Sequence, residues 1–193
     1  EINAISPFKA HPFKVIDDEK MEDLINSVKE KGVLTPVLIR TVGENRYEML
    51  SGHRRMYAAH KAGLTTIPAT VRDLSDDEAV IAMVDANIQR EELLPSEKAF
   101  AYKMKLNAMK RQAGRPSKNN ACQTGTNFRS DQELGEQVGE SARSVQRYIR
   151  LTELIPELLD MVDEKKLQFT VAVEISYIDK EMQKWVYEYI RDN

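Results

Sequence analysis

The strand-like patterns of this chain all lie before Pro95, and from there on the apolar residues recur with helical spacing only. Before Pro95, short apolar runs alternate with segments of helical periodicity, as in a small α/β domain. We therefore predict an α+β protein, with a small α/β domain over residues 1–92 and an all-helical domain over residues 93–193. The 193 residues, 41% of them hydrophobic, suffice for two such cores.

The turn and capping residues predict the order of elements. In the first domain we expect strands at 2–5, 37–40, 47–50 and 67–71, and helices at about 18–31, 54–62 and 75–89. Asp17 or Asp18 can cap the first helix, and Ser75 with Glu78 forms a capping box for the third. In the second domain we expect a helix from Pro95, then helices at 131–138, 142–153, 155–164, 170–177 and 179–191. Residues 113–130 are polar and predict a mobile loop.

The net charge of -3 conceals a basic segment. Between Lys103 and Arg150 there are ten basic and four acidic residues, a net charge of +6, so the other 145 residues carry -9. A basic segment in an acidic body is typical of a DNA-binding unit attached to a regulatory domain, because phosphate neutralisation supplies most non-specific affinity. A solvated helix face would give the same charge pattern.

Residues 131–151 have the pattern of a helix-turn-helix. Such a motif needs a shared apolar seam, a small residue where the helices cross, and a turn backbone that can adopt positive φ. The sequence provides these in order with Leu134, Gly135, Val138, Gly139, Val145 and Tyr148. Glu140 stands where an apolar turn residue is more usual. The alternative is an ordinary helical hairpin.

The second helix of this motif carries polar residues that suit a DNA groove. Ser141 can cap it, and side chains that point away from the seam can contact base edges or phosphates. We predict DNA contacts at Ser141, Arg143, Ser144, Gln146, Arg147 and Arg150.

A second anion site is predicted where a strand gives way to a helix, at Ser51-Gly52-His53-Arg54-Arg55. Free N–H groups at a helix start favour an anion, Gly52 allows a phosphate to approach the backbone, and two guanidinium groups can bind it. A solvated first turn paired with nearby acids is the alternative. A further polar cluster, Asn87-Ile88-Gln89-Arg90, ends the third predicted helix.

Taken in order, these segments resemble the ParB family of partition proteins. The matching motifs are His11-Pro12-Phe13-Lys14 with the run from Ile25 to Val37, then Ser51-Gly52-His53-Arg54-Arg55, then Ala86-Asn87-Ile88-Gln89-Arg90-Glu91-Glu92-Leu93, and then the helix-turn-helix. The resemblance covers nearly the whole chain. It implies a ParB/sulfiredoxin-like first domain, and a DNA clamp that loads at palindromic centromere-like sites and switches state on binding CTP.

The resemblance also implies roles for particular residues. It implies that the nucleotide binds to a set of residues from both polar motifs, with Mg²⁺ beside Asn87. These residues are Ser51, Gly52, His53, Arg54, Arg55, Asn87, Gln89 and Arg90. It implies a homodimer, a ParA-type ATPase as partner and a cytoplasmic location on the nucleoid or a plasmid. Family members carry a C-terminal dimerisation domain, and nothing after Arg191 supplies one, so we expect this chain to lack it.

Three departures from the family pattern bear on the nucleotide. Phe13 stands where the opening motif has an arginine, His53 replaces the glutamate of the arginine motif, and Ala86 replaces the acid before Asn87. Because Ala86 removes a carboxylate on the Mg²⁺ side, we expect at most a slow CTPase.

The same residues bear on other activities. The α/β domain also resembles sulfiredoxin, but that chemistry needs a cysteine next to the histidine, and Gly52 stands there while the only cysteine is Cys122. A nuclease or a nucleotide-dependent phosphotransferase that uses the Ser51–Arg55 cleft remains the alternative, with Glu48, Glu91 and Glu92 as candidate bases.

Two features concern the rest of the chain. No run of ten apolar residues occurs, which argues against a membrane span or a signal peptide. The last predicted helix carries an apolar stripe, which we interpret first as core packing and second as a surface for a partner. The stripe consists of Met182, Trp185, Val186, Tyr189 and Ile190.

Overall fold

The computed structural model describes residues 1–9, 11–15, 17–90, 93–114 and 130–192. The chain folds into two compact units, Glu1–Gln89 and Arg90–Asn193. The division lies three residues before the one predicted from the sequence. The predicted loop falls outside the described residues except at its ends, because 113 and 114 continue one helix and Ser130 begins the next.

The first unit is a mixed four-stranded sheet with three helices. Its elements in chain order are a 3-10 turn at Ile2–Ala4, β1 (Ile5–Pro7), α1 (Glu19–Lys31), β2 (Val37–Gly43), β3 (Arg46–Ser51), α2 (His53–Lys61), β4 (Ala69–Arg72) and α3 (Asp76–Ile88). The strand order is β1-β3-β2-β4, with β2 and β3 antiparallel and both outer pairs parallel. The strand predicted at 2–5 overlaps the observed β1 only at Ile5. The residues before it form the 3-10 turn, in which Ile2 is buried.

Local signals account for the helix ends in this unit. Asp18 caps α1 by accepting a hydrogen bond from the Met21 N–H at 2.9 Å. The predicted capping box is confirmed, since Ser75 Oγ accepts from the Glu78 N–H while the Glu78 carboxylate accepts from the Ser75 N–H. The β2–β3 hairpin turns at Glu44 and Asn45, where Asn45 adopts a φ of 53°.

One part of the core of the first unit lies against a face of the sheet. Val37, Ile39 and Met49 pack there, and α1 packs on α2 through Met21 and Ala58. These contacts fix α2 at the end of β3, which is the junction predicted to bind an anion.

In the part that the structure describes, the second unit is all helical. It contains α4 (Pro95–Gly114), α5 (Ser130–Val138), α6 (Ala142–Arg150), a 3-10 turn at Leu151–Glu153, α7 (Pro156–Asp163), α8 (Phe169–Ile175) and α9 (Lys180–Asp192). Its core is built around Leu151, Leu158 and Ala172, each completely buried. Among the helices that the structure describes, none combines the length and hydrophobicity needed to cross a bilayer.

Candidate functional site

The predicted anion turn lies at the junction between β3 and α2. Ser51 is the last residue of the strand, Gly52 precedes the helix with a φ of 104°, and His53 is its first residue. Within the described part of the chain, no side chain caps this helix, and its first turn carries no acidic residue. The first N–H groups of α2 are therefore left for water or for an anion.

Gly52 is required here for packing as well as for conformation. A Cβ atom at this position would lie 2.6 Å from Val37 Cγ1, which is shorter than real contacts, and the left-handed backbone already disfavours a side chain. The turn therefore sits directly against β2.

The two arginines of the turn have different environments. Arg55 donates hydrogen bonds from one guanidinium nitrogen to the carbonyl oxygens of Thr35 and Pro36, at 2.7 and 2.6 Å. Arg54 lies 3.5 Å from Asp18, and its Nε atom is buried with no hydrogen-bond partner among the described residues. Arg55 is thus fixed in place, whereas Arg54 keeps an unused donor.

His53 packs against His11, a pairing that sequence analysis missed. The ring centroids are 3.7 Å apart, and His11 Nδ1 lies 2.9 Å from the Phe13 carbonyl oxygen. Burial and the neighbouring His11 ring lower the pKa of His53 to about 4. Both ring nitrogens of His53 are buried and lack hydrogen-bond partners within the described residues. Two of the motifs singled out from the sequence therefore meet at one point.

Asn87 lies near the end of α3, the helix that packs on β3. Its side chain is 8% exposed, and its Nδ2 donates to the Met83 carbonyl oxygen at 2.7 Å. Gln89 follows the helix and is exposed, and the half-buried Arg90 opens the second unit. The structure therefore places Asn87 in the same unit as the arginine turn, at the end of a separate helix.

Of the acids considered for catalysis, Glu48 lies among the described residues, and it is held in an ion pair with Arg40. Glu48 accepts a 2.7 Å hydrogen bond from Arg40, which also pairs with Asp76 at 2.8 Å. Glu91 and Glu92 lie outside the described residues. Across the described ranges, no group of three or more His, Cys, Asp or Glu side chains could hold a metal ion.

The helix-turn-helix is formed by α5 and α6. Leu134 and Val145 are completely buried between the helices. A Cβ atom on Gly135 would lie 2.6 Å from the Glu140 carbonyl oxygen, so the crossing requires glycine. Gly139 has a φ of 71° in the turn, and Ser141 Oγ accepts from the Ser144 N–H at 3.1 Å.

The residues predicted to contact DNA divide into two groups. Arg143 and Gln146 are exposed on α6, and Gln146 donates to Asp131 on α5 at 3.2 Å. Arg147 and Arg150 instead lie toward α8. The Arg147 guanidinium is 5.1 Å from the centre of the Phe169 ring.

Arg150 is held more firmly than the others. Its Nε and a terminal nitrogen donate to the hydroxyl and the carbonyl oxygen of Ser176, at 3.1 and 2.7 Å, and its guanidinium lies over the Tyr177 ring. It therefore ties α6 to the end of α8.

The last helix corrects one expectation. Core packing was the first interpretation of its apolar stripe, yet Trp185 is 72% exposed and Tyr189 67%. Of the stripe, Ile190 does pack on the core, together with its neighbour Tyr187, while Gln183 is buried against the Ile155 N–H.

Comparisons with known proteins match this organisation. The family model of the ParB N-terminal domain matches residues 1–88, and that of the ParB HTH domain matches residues 124–193. A probable chromosome-partitioning protein ParB of Pseudomonas putida is 44% identical over 93 residues, which cover 48% of this chain and 32% of the relative. The chromosome-partitioning protein Spo0J of Thermus thermophilus is 31% identical over 182 residues, 94% of this chain and 60% of the relative.

One solved structure matches both units. It is the C-terminally truncated chromosome-partitioning protein ParB from Caulobacter crescentus complexed to the centromeric parS site, with a TM-score of 0.55 and 25% identity. The match covers 99% of this chain and 93% of that one. Against the two curated relatives named above, the present chain spans only 32% and 60% of their length.

Proposed function

The chain belongs to the ParB family, and from that premise we propose that it is a sequence-specific DNA-binding protein of chromosome or plasmid partition. The observation that carries this proposal is the α5–α6 motif. Its two helices cross closely at Gly135, and the side chains of Arg143 and Gln146 on α6 are exposed. The structurally similar ParB of Caulobacter crescentus was solved in complex with its parS site. A helix of this kind reads base edges in the major groove.

We assign the DNA contacts to the polar side of α6. Arg143 and Gln146 are exposed and suit base edges or phosphates, while Ser141 and Ser144 lie in the first turn of the helix. Arg147 is half-buried and can still reach a phosphate from its position over Phe169. Arg150 contributes by orienting the helix through Ser176 as well as by its charge.

Selection from a library of randomised DNA duplexes tests this function. The chain is expected to enrich an inverted repeat, and the double variant Arg143→Ala with Arg147→Ala should lose the enrichment. Sequencing of genomic DNA that co-precipitates with the protein should then give discrete peaks. An unenriched library and uniform genomic coverage would contradict a site-specific function.

We further propose that the turn between β3 and α2 binds the triphosphate of CTP. The uncapped start of α2, the buried Nε of Arg54 and the single N–H of the neutral His53 ring are donors that an anionic ligand could satisfy. Arg55, fixed on two backbone carbonyls, supplies a positioned positive charge. By family resemblance, Ser51, Gly52, Asn87, Gln89 and Arg90 complete the nucleotide site.

The residues present do not form a magnesium site by themselves. Mg²⁺ usually takes one or two carboxylates together with substrate phosphates. Ala86 stands where the family has an acid, which leaves the Asn87 amide oxygen as the candidate ligand from this motif. We therefore propose that Mg²⁺ enters with the triphosphate.

Isothermal titration tests the nucleotide. CTP with Mg²⁺ should bind in the presence of the selected duplex, and ATP, GTP and UTP serve as controls for the base. If none of the four binds, the nucleotide proposal fails while the DNA-binding proposal stands.

The wider setting also follows from family membership and is proposed on that basis. The full-length protein would act as a homodimer on DNA in the cytoplasm, at the nucleoid or on a plasmid, with a ParA-type ATPase as its partner. A pull-down with a ParA-type ATPase from the same organism would test that partner.

A further inference from the structure

Glu140 departs from the usual apolar turn residue, and its surroundings indicate a use for the charge. The residue lies between α5 and the Ser141 cap of α6, and its side chain is 19% exposed. Its Oε1 accepts hydrogen bonds from Lys98 Nζ at 3.1 Å and Tyr102 Oη at 3.0 Å, both on α4. Its Oε2 accepts from Ser144 Oγ on α6 at 2.6 Å.

The carboxylate therefore links the start of α6 to α4, whereas the turn connects α6 only to α5. Burial disfavours the charge, but the hydrogen bonds from Ser144, Lys98 and Tyr102 more than offset it, so the pKa of Glu140 is lowered. Burial and the same carboxylate raise the pKa of Tyr102, which keeps its hydroxyl a donor. A negative charge at the start of α6 also complements the helix dipole.

The α4 side of this link is packed against α6. Tyr102 is 1% exposed and packs edge-to-face on Tyr148 of α6, with ring centroids 5.6 Å apart. Lys98 lies 5.1 Å from the centre of the same ring. A displacement of the first turn of α6 relative to α4 would therefore strain or break the hydrogen bonds that Glu140 accepts from α4.

We propose that Glu140 is a positioning residue for DNA recognition: it fixes the rotation and depth of the first turn of α6, which carries Arg143 and Ser144, by tying that turn to α4. The inference rests on the proposed DNA-binding function. Under this proposal, the acidic side chain of Glu140 favours specific binding although it lies beside a surface that binds DNA, a polyanion.

The sign of the effect separates this role from simple electrostatics. Removing a negative charge next to DNA should strengthen non-specific binding, because repulsion of phosphates is lost. If Glu140 positions α6, Glu140→Ala should instead weaken binding to the selected inverted repeat, on the order of tenfold, while binding to a shuffled duplex stays equal or rises. Glu140→Gln, which keeps acceptor and shape, should restore part of the specific affinity.

The experiment measures affinity for both duplexes by fluorescence anisotropy at fixed salt. Glu136→Ala, at an exposed position of α5, is the matched control for charge and should not lower specific affinity. Tyr102→Phe removes one donor to Glu140 from a buried position that does not touch DNA. It should lower specific affinity a few-fold even if Glu140→Ala fails to fold.

The outcomes separate the two proposals. If the wild-type chain does not distinguish the repeat from the shuffled duplex, the DNA-binding function itself fails. If it does, and Glu140→Ala and Tyr102→Phe bind the repeat as tightly as wild type or more tightly, the positioning role is overturned. Selective loss with partial rescue by Glu140→Gln supports it.

Discussion

The imidazole rings of His53 and His11 stack with centroids 3.7 Å apart, at the start of α2. Because burial and His11 lower the pKa of His53 from 6.5 to about 4, the folded chain holds this ring neutral where the unfolded chain would protonate it. Stability from this group is complete above pH 6.5 and falls as the pH drops toward 4. The slope approaches about 1.4 kcal/mol per pH unit at most.

Urea unfolding between pH 4 and 8, followed by circular dichroism, measures this slope. The variant His53→Gln should flatten the profile between pH 4 and 6.5, whereas His60→Gln, at an exposed position of the same helix, should leave it as in wild type. Identical profiles for wild type and His53→Gln would show that the buried ring does not titrate as expected.

Gly52→Ala should destabilise the first unit more than an ordinary glycine replacement. The new Cβ would meet Val37 Cγ1 at 2.6 Å in a backbone with a φ of 104°, so steric overlap adds to conformational strain. We expect a loss of about 2–4 kcal/mol in the free energy of unfolding. Gly63→Ala is the matched control, because its φ is 80° but the space around it is open, and it should lose about 1 kcal/mol. Equal losses in urea unfolding would contradict the packing argument.

Much of this fold could be predicted from local sequence signals. Asp18, the Ser75–Glu78 capping box and Gly139 each act within one turn, and the structure uses each as expected. The strand at 2–5 was misplaced because the burial of Ile2 depends on residues distant in sequence.

The candidate sites were predictable only in part, for the same reason. The sequence indicates the residues of the β3–α2 turn, but not that His53 meets His11 or that Arg55 is held by the carbonyls of Thr35 and Pro36. Glu140 looked like a defect in the motif because its partners Lys98 and Tyr102 belong to another helix. Periodicity likewise could not tell which face of α9 is buried, and so left Trp185 in the core.

The two arginines of the turn should separate nucleotide binding from stability. Arg55→Ala removes two hydrogen bonds to backbone carbonyls and should lower the free energy of unfolding by about 1–2 kcal/mol. It should also weaken the binding of CTP. Arg54→Ala loses only a 3.5 Å pair with Asp18, so its stability should change by less than about 1 kcal/mol while CTP binding falls. Calorimetric titration and thermal unfolding of both variants provide the comparison. Full CTP affinity in Arg54→Ala would remove this side chain from the site.

Gly135→Ala should disrupt the helix-turn-helix, because the added Cβ would lie 2.6 Å from the backbone oxygen of Glu140 and 3.1 Å from the Ala142 nitrogen. Backbone atoms in a short turn cannot give way as a side-chain end can, so we expect a loss of about 2–4 kcal/mol. Gly139→Ala, where the space is open, should lose only about 1 kcal/mol. Circular dichroism during urea unfolding measures both, and a milder effect at Gly135 than at Gly139 would be evidence against the close crossing.

Arg143 and Arg150 lie on the same helix, but their substitutions should have different effects. Arg143 is exposed, so Arg143→Ala should leave thermal unfolding unchanged, lower affinity for the selected duplex, and reduce the slope of log affinity against log salt by about 1 if it contacts one phosphate. Arg150 is bound to Ser176 and lies over Tyr177, so Arg150→Ala should lower the unfolding temperature. Arg150→Lys should recover little, because an ammonium group cannot reproduce the two hydrogen bonds of the guanidinium. An unchanged salt slope in Arg143→Ala, together with unchanged stability in Arg150→Ala, would contradict the division of the α6 arginines into a DNA-facing group and a packing group.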